Sequence, residues 1–281
     1  MTRADILITA AELARLLDEG RPVRILDVRW TLAEPDGSAA YARGHLPGAV
    51  YVSLDDELSD HTVAGRGRHP LPSGAAVGKA ARRWGLSNGV PTVVYDDWNR
   101  AGSARAWWVL TAAGIGDVRI LDGGLAAWVA AGGRLETGAV VPPPGDVSVA
   151  HQDLYRGALP TLTADQVAAF DGVLLDARPP ERFRGESEPV DPVAGHIPGA
   201  RNAPSTALLT EDGTFLAEAD IAGFFRDRGV GAGEVGVYCG SGVTAAVTVA
   251  ALRTAGVPAT LFPGSWSQWC ADPARPVATG E

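Results

Sequence analysis

The chain has 281 residues, of which 46% are hydrophobic and 20% are charged, and its formal net charge is −9. This length accommodates two domains that each bury a core of their own. The negative charge argues against non-specific nucleic-acid binding, and no apolar run reaches the roughly 20 residues that span a membrane. Because the first residues also lack the apolar core of a signal peptide, we expect a cytoplasmic protein with no nucleic-acid or membrane partner.

In the first half of the chain, helix and strand patterns alternate. Thr9 and Glu12 have the spacing of a capping box, which predicts a helix that ends at Gly20. Short apolar runs predict strands, and a longer mixed run predicts a helix between the last two of them. The strands are predicted at 23–28, 92–95 and 118–121, and the helix at about 102–113.

The same order returns after residue 160. Thr163 and Gln166 repeat the capping box of the first half. Strands are predicted at 173–177, 235–238 and 259–262, and a helix at about 243–255. Because strand and helix alternate, each half is predicted to be an α/β domain with a mainly parallel sheet flanked by helices.

Short motifs in the two halves match in order. Gly-His-Leu-Pro-Gly-Ala at 44–49 corresponds to Gly-His-Ile-Pro-Gly-Ala at 195–200, and Val-Tyr-Asp at 94–96 corresponds to Val-Tyr-Cys at 237–239. A repeat of this length indicates duplicated domains rather than a solenoid. A proline run between the two halves indicates an extended linker. The predicted boundaries are 1–138 for the first domain, 139–160 for the linker and 161–281 for the second domain.

Cys239 lies at the predicted end of a strand, where parallel sheets hold their ligands. Gly240 and Gly242 allow the N–H groups of the following turn to converge on one point, at the positive end of the next helix. Such a turn stabilises an anion, so Cys239 is expected to be largely thiolate and able to carry a persulfide. The first half has Asp96 at this place, so only the second half is predicted to be catalytic. The other cysteine, Cys270, has no such turn and is expected to be inert.

Two other classes of cysteine enzyme use comparable sites. Cysteine-dependent phosphatases place an arginine six residues after the nucleophile, where this chain has Ala245. A Cys-His hydrolase needs a base beside the cysteine, and the sequence offers His45, His69 and His196 without giving their distances. His45 and His196 occur in both copies of one motif, which favours a structural role, whereas His69 has no counterpart in the second half.

With the duplication, the paired Gly-His motifs and the Cys-Gly-Ser-Gly-Val-Thr turn at 239–244, the chain resembles the rhodanese family of sulfurtransferases. The resemblance covers nearly the whole chain and implies two tandem rhodanese-like domains, the first inactive and the second catalytic. Within the family, the turn is similar to that of the 3-mercaptopyruvate sulfurtransferases. Thiosulfate enzymes usually carry basic residues where Gly240 and Ser241 stand.

The resemblance also implies roles for single residues. Cys239 matches the persulfide-forming nucleophile, and Ser241 matches a serine that acts with a histidine and an aspartate of the first domain. Their counterparts here are His69 and Asp55, with Asp56 as the alternative aspartate. The turn residues that would bind the donor are Gly240, Gly242, Val243 and Thr244. Arg182 matches the arginine that binds the substrate carboxylate.

One departure from the family pattern concerns a second arginine, which mercaptopyruvate enzymes commonly place several residues after Arg182. This chain has Glu-Ser-Glu-Pro-Val-Asp at 186–191, and Arg184 is the candidate substitute.

The resulting hypothesis is a transfer of sulfane sulfur from a small anionic donor, 3-mercaptopyruvate, through a Cys239 persulfide. The acceptor is expected to be a thiol, such as that of thioredoxin, or cyanide, and no metal or organic cofactor is required. Two alternatives stay open: thiosulfate as the donor, and a non-catalytic module that only carries persulfide sulfur.

Overall fold

The computed structural model describes all residues, 1–281, and divides them into two compact units. Unit 1 comprises residues 1–60, 71–159 and 209–215. Unit 2 comprises residues 61–70, 160–208 and 216–281. The segment 61–70 therefore comes from the first half of the sequence but packs as part of unit 2. No helix in either unit combines the length and apolar character that a membrane span requires.

Unit 1 is built on a five-stranded parallel sheet with the strand order β1-β5-β4-β2-β3. Its strands are β1 (Leu7–Ile8), β2 (Arg24–Asp27), β3 (Val50–Tyr51), β4 (Thr92–Tyr95) and β5 (Val118–Leu121). Its helices are α1 (Arg3–Ile6), α2 (Ala10–Asp18), α3 (Ser38–Arg43), α4 (Leu54–Glu57), α5 (Gly74–Arg83), α6 (Ala101–Ala112) and α7 (Gly124–Ala130), with a 3₁₀ turn at Leu154–Arg156.

Unit 2 contains a four-stranded parallel sheet with the order β7-β6-β8-β9. Its strands are β6 (Val173–Asp176), β7 (Arg201–Asn202), β8 (Val235–Tyr238) and β9 (Thr260–Leu261). Its helices are α8 (Ala164–Ala168), α9 (Pro180–Phe183), α10 (Glu218–Arg226), α11 (Ala245–Thr254) and α12 (Ser265–Trp269), with a 3₁₀ turn at Ser205–Leu208.

The predicted α/β architecture with two mainly parallel sheets is confirmed. Strands β4, β5 and β8 coincide with the predicted runs, because each is a continuous buried or nearly buried segment rich in β-branched and aromatic residues. Both capping boxes form, at Thr9 with Glu12 and at Thr163 with Gln166. The sequence analysis did not predict β1, β3 and β7, since two residues are too few for a periodic signal.

The core of unit 2 supports the carboxyl end of β8. Tyr238, Phe262, Trp266 and Trp269 are all buried in one cluster against the sheet. Next to them, the buried guanidinium of Arg178 makes a forked contact with Asp176, with bonds of 2.6–3.1 Å. A buried ion pair of this kind fixes the backbone that leaves β6, and β6 is paired with β8 in the sheet.

Candidate active site

Cys239 follows β8 directly and is 1% exposed. Its backbone N–H donates to Ser265 Oγ at 3.1 Å, and its carbonyl oxygen accepts from Trp266 N at 2.9 Å. The carbonyl oxygen of Gly240 accepts from Ser267 N at 2.9 Å. The start of α12 therefore holds both ends of this peptide segment, and the Cys239 side chain is fixed on a rigid support.

The turn at 239–244 has the conformation that its glycines predict. Gly242 has a φ of +78°, and a Cβ atom on it would lie 2.4 Å from Pro263 O, so no other residue fits there without strain. Its N–H donates to Cys239 Sγ at 3.1 Å. The N–H groups of Ser241, Val243 and Thr244 have no hydrogen-bond acceptor within the protein. Beside Cys239 the turn thus carries several donors that an anionic sulfur could use.

Ser241 and His69 lie together in unit 2. Ser241 Oγ is 2.7 Å from His69 Nδ1, and the two residues are 6% and 5% exposed. The residues are 172 positions apart in sequence, and the segment 61–70 brings them into contact. A short hydrogen bond in a buried site allows a proton to pass between hydroxyl and imidazole.

The two candidate aspartates lie on α4 in unit 1 and have different contacts. Asp55 Oδ1 accepts a hydrogen bond from Trp30 Nε1 at 3.1 Å. Asp56 belongs to the helix cap, where its carboxylate accepts from Ser53 Oγ at 2.8 Å and its N–H donates back to the same hydroxyl. The helix cap therefore uses Asp56, whereas Asp55 contacts Trp30.

Two arginines flank Gly240. A Cβ atom on residue 240 would lie 3.2 Å from Arg68 Nη2 and 3.6 Å from Arg182 Nη1. The predicted substrate-binding residue Arg182, on α9, is therefore beside the turn. Arg184 contacts the exposed carboxylate of Glu186 instead, at 2.7 and 2.9 Å, so the nearby second arginine is Arg68 rather than Arg184.

Two buried carboxylates hold these arginines. Glu188 accepts from Arg182 Nη2 at 2.5 Å and from Nε at 3.2 Å. Asp191 accepts from Arg182 Nη2 at 3.3 Å and pairs with Arg68 Nη1. Sequence reasoning assigned no role to either carboxylate. Their position could have indicated a role, since both lie in the stretch where the family pattern has its second arginine.

The environment shifts the pKa of three groups around the turn. Burial raises the pKa of Asp191, and the charge of Arg68 opposes the shift without cancelling it. For Glu188, burial acts in the same direction but is outweighed by hydrogen bonds from Arg182 and backbone N–H groups, so its pKa is lowered. Burial raises the pKa of Cys270, which agrees with the inert role predicted for that thiol.

The histidines of the paired motifs bind the backbone. His45 Nδ1 and Nε2 lie 2.9 and 3.0 Å from the carbonyl oxygens of Leu46 and Gly138. His196 Nδ1 lies 2.8 Å from Phe183 O. Their ring nitrogens are therefore used in fixing turns, as duplication predicted, and the histidine that contacts the Cys239 turn is His69.

A model of the rhodanese-like domain matches the chain twice, at residues 9–131 and 160–272. Among known proteins, "Putative thiosulfate sulfurtransferase SseB" of Mycobacterium tuberculosis strain H37Rv is 65% identical, over 99% of this chain and 98% of its own. The 3-mercaptopyruvate sulfurtransferase of Escherichia coli K12 is 38% identical, over 94% of this chain and 95% of its own.

A solved structure agrees with these sequence matches. The crystal structure of SseA from Escherichia coli, which describes the "Rhodanese" fold of 3-mercaptopyruvate sulfotransferases, has a TM-score of 0.81 and 34% identity to this chain. It covers 95% of this chain and 100% of SseA. The fold and the enzyme class predicted from the sequence are thus confirmed, and the chain belongs to the rhodanese family of sulfurtransferases.

Proposed function

We propose that the chain transfers sulfane sulfur from 3-mercaptopyruvate to a thiol or to cyanide, with Cys239 as the carrier. The observation that carries this proposal is the buried contact of 2.7 Å between His69 Nδ1 and the Oγ of Ser241, which lies two positions after Cys239 in the chain. A thiol donor needs a proton moved during the reaction, and a serine–histidine pair supplies a route for it.

In the first step, the Cys239 thiolate attacks the sulfur of mercaptopyruvate. A sulfur–sulfur bond forms, the carbon–sulfur bond breaks, and its electron pair goes to carbon as the enolate of pyruvate. The proton carried by the donor thiol is passed through Ser241 and His69 to that carbon. The products are pyruvate and the Cys239 persulfide anion, which the N–H groups of the turn stabilise.

In the second step, a thiolate or cyanide attacks the outer sulfur of the persulfide. The sulfur–sulfur bond breaks, and its electron pair returns to Cys239 as thiolate. Arg182 would hold the donor carboxylate by charge-assisted hydrogen bonds during the first step. Asp55 is proposed to take part in the proton transfer, and the first copy, with Asp96 in place of cysteine, is proposed to be inactive.

Thiosulfate is the second candidate donor. The name of the Mycobacterium tuberculosis relative and the two arginines beside Gly240 favour it. Attack on thiosulfate expels sulfite and needs no proton, so Ser241 would have no task in that reaction.

Mass spectrometry of the intact protein after incubation with each donor tests the proposal. We expect mercaptopyruvate to add one sulfur atom to Cys239, and Cys270→Ser to load as the parent does. If only thiosulfate adds sulfur to the protein, thiosulfate is the donor instead of mercaptopyruvate. If neither compound adds sulfur, the mechanism is excluded.

A further inference from the structure

The side chain of Arg68 lies at the candidate active site although it comes from a glycine-rich stretch of the first half of the chain. Its Nη2 is the nearest atom to the space beside Gly240, closer than that of Arg182. Its backbone N–H donates to Ser267 Oγ at 3.0 Å, and α12, which carries Ser267, also holds Cys239. The residue is therefore fixed relative to the proposed nucleophile.

The guanidinium of Arg68 is only partly used by the protein. Nη1 pairs with Asp191, while Nε is buried and has no hydrogen-bond partner. Nη2 makes no hydrogen bond within the protein and is the guanidinium atom nearest to Gly240, so it is the donor that a ligand at this place would meet. The side chain is 30% exposed, which leaves it accessible to a small solute.

We propose that Arg68 is a donor-binding residue, which holds the anionic end of the sulfur donor together with Arg182. This inference rests on the proposed function and names the residue that determines donor affinity. Arg68 thereby supplies the second cation that Arg184, bound to Glu186, does not provide. The shared chemistry is a small anion, either the carboxylate of mercaptopyruvate or thiosulfate.

Carboxylates pair with part of each guanidinium group beside Gly240 and leave other donors for a ligand. Asp191 contacts Arg68 and Arg182, and Glu188 contacts Arg182 and Arg178. Arg178 also pairs with Asp176, so three carboxylates balance three guanidinium groups. Arg182 has both of its Nε and Nη2 donors directed to carboxylates. An incoming anion therefore finds its donors on Arg68 Nη2, on Arg182 Nη1 and on the N–H groups of the turn.

The test is a calorimetric titration of 3-mercaptopyruvate, and separately of thiosulfate, into Cys239→Ser, which binds the donor without reacting. Adding Arg68→Met should raise the Kd of the bound donor at least tenfold, equivalent to about 1.4 kcal/mol. The matched control is Arg66→Met, which removes one positive charge from the same segment and should leave the Kd within about twofold, since surface charges act weakly at physiological salt. Arg68→Lys should give an intermediate Kd, because lysine keeps the positive charge but cannot form the two parallel hydrogen bonds of a guanidinium group.

An unchanged Kd in Arg68→Met overturns the inference, and so does an equal loss in Arg66→Met, which indicates long-range attraction instead of contact. The inference is also overturned if neither mercaptopyruvate nor thiosulfate binds to Cys239→Ser. If Arg68→Met does not fold, as judged by its thermal transition, the Kd of Arg68→Lys decides. Sulfur loading of the parent protein is measured separately, so failure of the proposed function is distinguishable from failure of this assignment.

Discussion

The turn after β4 in unit 1 and the turn after β8 in unit 2 both follow a tyrosine at the end of a buried strand, but they enclose different groups. In unit 1, the carboxylate of Asp96 accepts from the N–H groups of Trp98, Arg100 and Ser103 at 3.0–3.2 Å. It also accepts from Ser103 Oγ at 2.6 Å and pairs with the Arg100 guanidinium at 3.0 Å.

In unit 2, the residue at the same place is Cys239, and one N–H of its turn donates to the sulfur. In both copies, an N–H group of the turn therefore donates to the side chain of the residue that follows the strand. The first copy fills its turn permanently with its own carboxylate. The second leaves donors for a group that can arrive and leave, as a transferred sulfur must.

Making the second turn like the first gives the largest expected effect. Cys239→Asp should abolish sulfur loading and lower the transfer rate by at least about 1,000-fold, because the nucleophile is lost. The new carboxylate can accept from the unpaired N–H groups, so the thermal transition should not fall. Intact mass and differential scanning calorimetry check both parts. Cys270→Ser is the matched control, and sulfur loading on Cys239→Asp contradicts the assignment of the nucleophile.

Removing the anion from the first turn tests its structural role. Asp96→Asn leaves the Arg100 guanidinium, which is 1% exposed, without a carboxylate partner. Breaking a buried pair in this way costs about 3 kcal/mol of stability. We expect that loss in urea unfolding followed by circular dichroism, with the rate of sulfur transfer per folded molecule unchanged. A selective loss of turnover without loss of stability contradicts the view that unit 1 is non-catalytic.

The next largest effect is expected from replacing Ser241, which lies in the turn after β8. Ser241→Ala should lower kcat with mercaptopyruvate by about 100-fold, the scale of general acid–base catalysis. With thiosulfate, which needs no proton transfer, kcat should change by less than about threefold on the same argument. Steady-state kinetics with both donors provides the comparison within one variant. Equal losses with both donors indicate that the serine only supports the turn.

Much of this comparison could be predicted from the sequence, because β4 and β8 are continuous runs and the residues after them stand in matching motifs. The contact between Ser241 and His69 followed from family resemblance, since no local pattern brings together residues 172 positions apart. The placement of Arg68 could not be predicted. It lies in an irregular glycine-rich stretch, and its contact at Gly240 depends on how the segment 61–70 packs in unit 2.

The smallest predicted effect concerns the capping boxes, which differ in one titratable group. In the first copy, Thr9 N and Oγ1 donate to the Glu12 carboxylate at 2.9 and 2.7 Å, and the backbone bond contributes most to lowering the pKa of Glu12 below 4.5. In the second copy, Gln166 makes the matching backbone contact at 2.8 Å and does not titrate.

Because the folded pKa of Glu12 is lowered, its stabilisation is present above the unfolded value and is lost as the pH falls through the folded pKa. Glu12→Gln should therefore lower the free energy of unfolding at neutral pH by less than about 1 kcal/mol, because the site is exposed and screened, and should not lower it at about pH 3. The Tm should fall slightly at neutral pH and stay unchanged at about pH 3. Gln166→Glu, the matched control, should gain the same pH dependence in unit 2. Calorimetric scans across that pH range check both variants. A Tm difference for Glu12→Gln that stays constant with pH would show that the side chain stabilises the cap through its shape, which both copies share, rather than through the charge that distinguishes them.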